Sequence, residues 1–335
     1  MNNYIVGFIL SFVIAGLIAP LVIKLCKKLK ASQTILHYVE AHKGKQGTPT
    51  MGGFIFILST LLSAFFVFTK DYSLAVITLV SMVSFGLLGF LDDFIKIKYK
   101  QNEGLKAYQK IIGQTGIAVL LAVFAYYSSN VGTSLVVPFS HTLWDIGWAY
   151  IPFTVFVFLA VSNSVNLLDG LDGLAGGVSF VYLLGFMIML GVFVPTLEGI
   201  NPTLLAENAN LLSVAACLLG GLLVFLVFNG HPASIFMGDT GSLALGGFIS
   251  AFAVFSRFIL YLPILGLIYV LTSVSDIIQV LHYKRTKKRV FLMAPLHHHF
   301  EKKGMNENKI VIVYIVITII LFAITFLVAN MFSGG

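Results

Sequence analysis

LLSVAACLLGGLLVFLVF, residues 211–228, contains no charged side chain and runs directly into NGHPASIFMGDTGS, residues 229–242. An uncharged apolar run of about 18 residues or more is what a helix needs to cross a bilayer. The Gly, Pro, Ser and Asp that follow mark a loop at the membrane face. The same alternation repeats along the chain. Apolar runs lie at approximately 4–26, 53–69, 73–91, 111–128, 149–162, 174–194, 211–228, 242–256, 259–281 and 310–332. The second, fifth and eighth are the shortest, so a re-entrant segment is allowed there. The expected fold is an all-α polytopic integral membrane protein of about ten transmembrane helices. No repeat, low-complexity tract or linker divides it, so residues 1–335 read as one domain.

Composition agrees. Of 335 residues, 58% are hydrophobic and 10% charged, where soluble chains carry about 25% charged. That excludes a soluble α/β enzyme, a disordered chain and a nucleic-acid-binding domain. Continuous apolar runs also lack the alternation of an outer-membrane barrel strand. Cys26 and Cys217 both sit inside apolar runs, with no disulfide framework or metal-type spacing. Residues 1–4 carry no basic stretch, so no cleavable signal peptide is expected.

The net charge of +7 is distributed unevenly. With the N-terminus outside, the inner loops become 27–52, 92–110, 163–173, 229–241 and 282–309. Counting Lys24 at the first span's inner end, 19 of the 21 Lys and Arg residues then fall inside, Lys70 and Arg257 excepted. The positive-inside rule therefore places both termini outside. Most Asp and Glu, and seven of the eight His, gather on the same side. Carboxylates have little influence on topology, so they need another reason to be there. A site for an anionic, metal-bound substrate in the cytoplasmic loops supplies one.

Each inner loop carries candidate chemistry. In KGKQGTPTMGG, 43–53, Lys43 or Lys45 suits a phosphate, and the glycines let backbone amides approach a ligand. In FLDDFIKIKYK, 90–100, Asp92 and Asp93 repel each other at the membrane edge, a cost that Mg²⁺ or a proton relieves. Lys96, Lys98 and Lys100 follow, and Lys106 and Lys110 extend the phosphate-attracting surface. In NSVNLLDGLDG, 163–173, Asn166, Asp169 and Asp172 step by three, as along one helix face, and offer hard oxygens to Mg²⁺. Asp239 stands in the tight turn Gly238-Asp239-Thr240-Gly241, with Phe236 suited to stacking on a base or anchoring at the interface. In 282–304, a basic cluster from Lys284 to Arg289 suits anionic lipid, and residues 290–296 are expected as a surface helix. His297, His298 and His299 follow Pro295; their imidazoles can donate hydrogen bonds to a diphosphate, with His297 and His299 sharing a side if the segment is extended.

Together GTPTMGG, LDD, NLLDGLDG, FMGDTGSLALGG and APLHHHFE make the chain resemble, over essentially its whole length, the phospho-N-acetylmuramoyl-pentapeptide transferases. These belong to the bacterial polyprenyl-phosphate N-acetylhexosamine-1-phosphate transferases. The resemblance implies an enzyme of the bacterial inner (cytoplasmic) membrane. It would transfer phospho-N-acetylmuramoyl-pentapeptide from UDP-N-acetylmuramoyl-pentapeptide to undecaprenyl phosphate, releasing UMP. By the same resemblance Asp239 binds Mg²⁺ with Asn166 close by, and Asp92 is the candidate base with Asp93 beside it. Lys45, Asn229, Asp169 and Phe236 fall at the uridine side, with Asp172 also among the substrate contacts. His297, His298 and His299, with Lys96 and Lys110, fall near the phosphates and sugar. A homodimer is common among such relatives.

The sequence departs from this pattern in two places. Thr272-Ser273-Val274-Ser275 replaces Glu-Thr-Leu-Ser with Asp276 at an apolar position, and Tyr108 stands where relatives commonly carry a base. Direct attack by the lipid phosphate is the expected route, since both substrates can meet one metal at the interface. A transporter would place its polar groups near the midplane, and a lipid-binding scaffold leaves the acids unexplained. A GlcNAc-1-phosphate transferase shares the Asp motifs, and APLHHHFE tells against it.

Overall fold

The computed structural model describes residues 3–29, 47–101, 103–140, 142–196 and 202–333. In chain order its helices are α1 (Asn3–Lys28), α2 (Gly53–Ala64), α3 (Ser73–Tyr99), α4 (Ala107–Tyr127), α5 (Tyr150–Leu168) and α6 (Leu174–Phe193). There follow α7 (Pro202–Asn229), α8 (Gly238–Phe255), α9 (Leu262–Leu265), α10 (Leu267–Thr286), α11 (Leu296–Lys302) and α12 (Glu307–Ser333). Among the described residues the one sheet is an antiparallel hairpin of β1 (Ser134–Val136) and β2 (Leu143–Asp145), with Leu135 opposite Trp144.

Among the described residues eight helices are long and apolar enough to cross a membrane, or up to nine if the bent pair counts as one span. The chain is therefore a multi-pass membrane protein. α2, at 12 residues, is shorter than a full crossing. The expected run 259–281 is not straight: Ile259–Leu265 and Leu267–Thr286 meet at 77°, with Gly266 between them. Residues 290–295 do not form the expected surface helix; bends occupy them and helix begins at Leu296. The Gln279 side chain holds both the Val290 and Phe291 N–H groups, each at 3.0 Å, and donates to the Phe291 carbonyl at 3.0 Å. Those contacts impose an open path, and Pro295 has no N–H to give a helix.

α8 lies at the centre, packed between α3 and α5, with 94% of its apolar window buried; for α1 and α12 the share is 22%. The outer helices turn leucines such as Leu17 and Leu21 outward, as suits lipid. Small residues let the central helices approach, since packing rather than the hydrophobic effect joins helices in lipid. A methyl added at Gly89 of α3 would meet the Asp239 carbonyl of α8.

The far end of α3 is fixed by a carboxylate inside the apolar α7. Glu207, 2% exposed, accepts the Leu74 N–H at 2.8 Å and bonds the Ser73 hydroxyl. It satisfies donors that a helix start otherwise leaves orphaned. Glu207→Ala is expected to cost about 2 kcal/mol, as these donors lose a charged acceptor. Thermal unfolding in detergent checks this: the midpoint should fall, and an unchanged midpoint would contradict the role.

Candidate active site

Four helix ends converge. The last turns of α3 carry Asp92, Asp93 and Lys96, and the first turn of α4 carries Lys110. The last turn of α5 carries Asn166, and the first turn of α8 carries Asp239. α3 and α5 run past the expected limits of their apolar runs, so these groups stand on rigid helix ends rather than in free loops. Asp93, 1% exposed, receives the N-terminus of α8: the Asp239 and Thr240 N–H groups donate to it at 3.2 and 2.9 Å, and the Thr240 hydroxyl at 2.7 Å. A carboxylate there also meets the positive end of the helix dipole. Gly238 enters the helix at φ +74°, and a Cβ on it would press on the Asp93 carboxylate and Thr50. Only glycine takes that turn without strain.

Asp239 is the hub. Lys96 and Lys110 both reach its Oδ2 at 2.9 Å, while the Asn166 amide donates to Oδ1 at 2.7 Å and to the Ser242 hydroxyl at 2.8 Å. Lys96 also pairs with Asp92 at 2.6 Å, and the Leu105 N–H donates to the other Asp92 oxygen at 2.8 Å. Asp92, Asp93 and Asp239 each offer an oxygen within 4.8 Å of the others'. Three hard carboxylates at that spacing fit a divalent cation such as Mg²⁺, and the two ammoniums offset their repulsion.

The expected single face of Asn166, Asp169 and Asp172 does not form, because α5 ends at Leu168 and the chain turns at Asp169. Asn166 reaches Asp239, while Asp172 points to a second cluster. Its carboxylate accepts the Ala233 N–H at 3.1 Å and lies 3.0 Å from His231 Nδ1, which is 3.3 Å from Glu307. Glu307 in turn accepts the Asp172 N–H at 2.6 Å. This trio also offers ligand atoms within 4.8 Å of one another. Sequence reasoning missed His231 and Glu307. The one available signal was an acid and a histidine on the basic side, and nothing in the spacing joined them.

Asn229 bridges loops: it accepts the Gly173 N–H at 3.0 Å and donates to the Ile235 carbonyl at 3.0 Å. Phe236 is half-buried; its N–H donates to the Pro49 carbonyl, and its own carbonyl accepts the Gly52 N–H, both at 2.8 Å. The segment after Lys45 is thereby brought to Phe236, while Lys45 itself lies outside the described residues. Asp169 remains near the hub. Burial, then the charges of Asp239, Asp93 and Asp172, push its carboxyl well above the usual carboxylate range.

The three histidines lie on α11, not on an extended segment, and they diverge. His297 is fully buried, and among the described residues neither ring nitrogen has a hydrogen-bond partner. Burial, then the neighbouring His298, lowers its pKa to about 3, so the ring is neutral. The His297 and His298 rings are 4.4 Å apart and both lie against Gly170, beside Asp169. His298 pairs with Glu301 at 2.9 Å. His299 turns to the preceding segment, accepting the Leu292 N–H at 3.1 Å and meeting Phe291 edge-on. The structure therefore gathers Asp92, Asp93, Asp239, Lys96, Lys110 and Asn166 in one group and Asp172 and Asn229 beside a second. His297 and His298 close on the loop between them.

Two family models match. Glycosyl transferase family 4 covers residues 74–257, and the phospho-N-acetylmuramoyl-pentapeptide-transferase signature 1 covers residues 45–57. The chain is 42% identical over 300 residues to the phospho-N-acetylmuramoyl-pentapeptide-transferase of Clostridioides difficile, covering 89% of each chain. It is 44% identical over 305 residues to that of a Thermoanaerobacter species, covering 91% of this chain and 92% of the relative. With that of Desulfitobacterium hafniense it shares 43% over 294 residues, 87% of each. The first model spans Asp92, Asp93, Lys96, Lys110, Asn166 and Asp239, and the chain belongs to the phospho-N-acetylmuramoyl-pentapeptide-transferase family.

Proposed function

We propose that this membrane enzyme transfers phospho-N-acetylmuramoyl-pentapeptide from UDP-N-acetylmuramoyl-pentapeptide to undecaprenyl phosphate, releasing UMP and forming the first lipid-linked peptidoglycan precursor. The observation that carries the reading is the hub: Asp239 held by Lys96, Lys110 and Asn166, with Asp92 and Asp93 within ligand distance. Phosphoryl transfer needs positioning and charge neutralisation more than covalent help. Asp239, with Asn166 beside it and Asp92 and Asp93 in reach, would hold Mg²⁺; bound there, it neutralises the diphosphate and makes UMP a better leaving group.

Lys96 and Lys110 supply the cations that pair with the phosphates. The acceptor phosphate has a second pKa near 6, so at pH 7 it is already largely nucleophilic, and Asp92 orients it more than it deprotonates it. Direct attack needs no covalent intermediate. On the uridine side Phe236 stacks on the base, with Lys45, Asp169, Asp172 and Asn229 around it. His298 meets the sugar and phosphates, neutral His297 presents an imidazole that carries no charge of its own, and His299 braces the preceding segment through the Leu292 N–H. An apolar groove of about 680 Å³ between α5 and the α9–α10 bend, lined by residues such as Phe153, Val157 and Leu260, suits a polyprenyl chain. It runs along the helix whose last turn holds Asn166. The Lys and Arg residues gathered on the hub's side support an inner-face site in the bacterial inner membrane, with both termini outside.

The test is UMP release by the purified protein given undecaprenyl phosphate, Mg²⁺ and UDP-N-acetylmuramoyl-pentapeptide, with UDP-GlcNAc in parallel. Metal-dependent UMP from the muramoyl substrate is expected. UMP from UDP-GlcNAc alone would reassign the chain to the sister reaction. None from either, with folded protein, would sink the transferase reading and favour a transporter.

A further inference from the structure

Arg257 stands in the turn between α8 and α9, at the end of the bundle opposite the hub, and is one of two basic residues that the charge asymmetry leaves unexplained. Its backbone lies in the left-handed region at φ +66°, where glycine is the unstrained choice. The turn itself needs only backbone. The Arg257 N–H donates to the Val254 carbonyl, and the Arg257 carbonyl accepts the Val136 N–H, both at 3.1 Å. Arginine at so strained a position therefore serves through its side chain. That side chain is partly buried, and its Nε is closed off from solvent without a hydrogen-bond partner. Among the described residues no carboxylate pairs with it. A guanidinium stays charged in a protein, so this cation is uncompensated.

α5 brings two more donors to the same place. Tyr150 and Thr154, one helical turn apart and both fully buried, end in hydroxyls that have no hydrogen-bond partner either. The Tyr150 phenol faces Thr154 and is within electrostatic reach of the guanidinium. Three orphaned polar atoms that can all donate, one of them on a cation, lack the same thing: an acceptor carrying negative charge. Water would satisfy the hydroxyls and leave the charge uncovered. A cation at the C-terminal end of α8 also suits the helix dipole, but the dipole requires neither a buried Nε nor hydroxyls beside it. A guanidinium fork matches the paired oxygens of a phosphate. We propose that Arg257, Tyr150 and Thr154 form an oxyanion site for a phosphate group, carried by a lipid headgroup or free in solution. α5 and α8 are the helices whose other ends present Asn166 and Asp239, joined at 2.7 Å. The phosphate fastens the far ends of that pair, as the hub fastens the near ends.

The test is thermal unfolding of the delipidated protein in a neutral maltoside detergent. Sodium phosphate is titrated against sodium chloride at equal ionic strength, and dioctanoyl-phosphatidylglycerol against dioctanoylglycerol, which lacks the phosphate. With one or both phosphate probes the midpoint should climb, by about 3 °C at ten times the dissociation constant. Arg257→Gly should not respond. Without any probe its midpoint should equal or exceed that of the unchanged protein, because glycine takes the same φ without strain. Tyr150→Phe should raise the half-effect concentration about tenfold, as one hydrogen bond to a charged group is lost. A response to inorganic phosphate seats the free ion in the site, and a response to phosphatidylglycerol alone assigns the site to a headgroup. No response to either probe overturns the proposal, as does a response of equal size in Arg257→Gly or with chloride. A probe-free midpoint that falls in Arg257→Gly also overturns it, since the guanidinium then serves the fold by itself.

Discussion

Asp239→Asn should lower kcat for UMP release by about three orders of magnitude and leave the protein folded. The substitution keeps the volume and removes one negative charge from the point where Lys96, Lys110 and Asn166 meet. The two ammoniums then lose their shared counter-charge, and the carboxylate trio loses the member that shares Lys96 with Asp92. Folding is preserved because Asp93 holds the start of α8 through the backbone N–H of residue 239, not through its side chain. The variant is assayed at saturating levels of both substrates over a Mg²⁺ titration, with the unfolding midpoint beside it. A loss smaller than tenfold would remove Asp239 from the centre of the chemistry. A loss fully reversed by excess metal would reduce its role to metal affinity.

Much of this architecture is legible in the sequence, because a bilayer imposes a length on every span and punishes charge inside it. Uncharged runs such as 211–228 therefore announce themselves, and α7 contains that run entire. The limits of the helices are less legible. α3 continues through Asp92, Asp93 and Lys96, and α5 through Asn163 and Asn166, because polar partners from neighbouring helices satisfy them. Hydropathy stops where charge begins, whereas a helix stops where its backbone loses partners.

The same distinction explains what was missed in the site. Asp92, Asp239 and Asn166 stand in motifs that the sequence exposes, although Asp92 and Asn166 lie within α3 and α5 and not in the expected loops. That Lys96 and Lys110 share one oxygen of Asp239 depends on how α3, α4 and α8 cross, which no local spacing encodes. His231 and Glu307 meet only because α12 returns to the loop holding Asp172. The histidine run was readable as a feature, but its geometry was not. A helix disperses the rings, so that His297 is buried against Gly170 while His299 serves the neighbouring loop.

The adjacent acids of α3 are expected to separate under substitution, although they are indistinguishable by position. Asp93→Asn should lose both activity and stability, the latter by roughly 3 kcal/mol. Its carboxylate is the acceptor for three donors at the start of α8, and an amide turned into that site places its own N–H groups against them or leaves donors unsatisfied. The first turn of α8 then loosens, and Asp239 loses its fixed place, so we assign Asp93 a positioning role. Asp92→Asn removes a carboxylate held by one lysine and one backbone N–H. It should lower kcat about 100-fold, through loss of orientation at the acceptor phosphate, with the unfolding midpoint nearly unchanged. Both variants are assayed for UMP release at a temperature well below either midpoint, so that unfolding does not mimic lost chemistry. Should Asp93→Asn keep its midpoint and still lose all activity, the carboxylate acts on the reacting groups directly. The hydrogen bonds to α8 would then be incidental to its role rather than the reason for it.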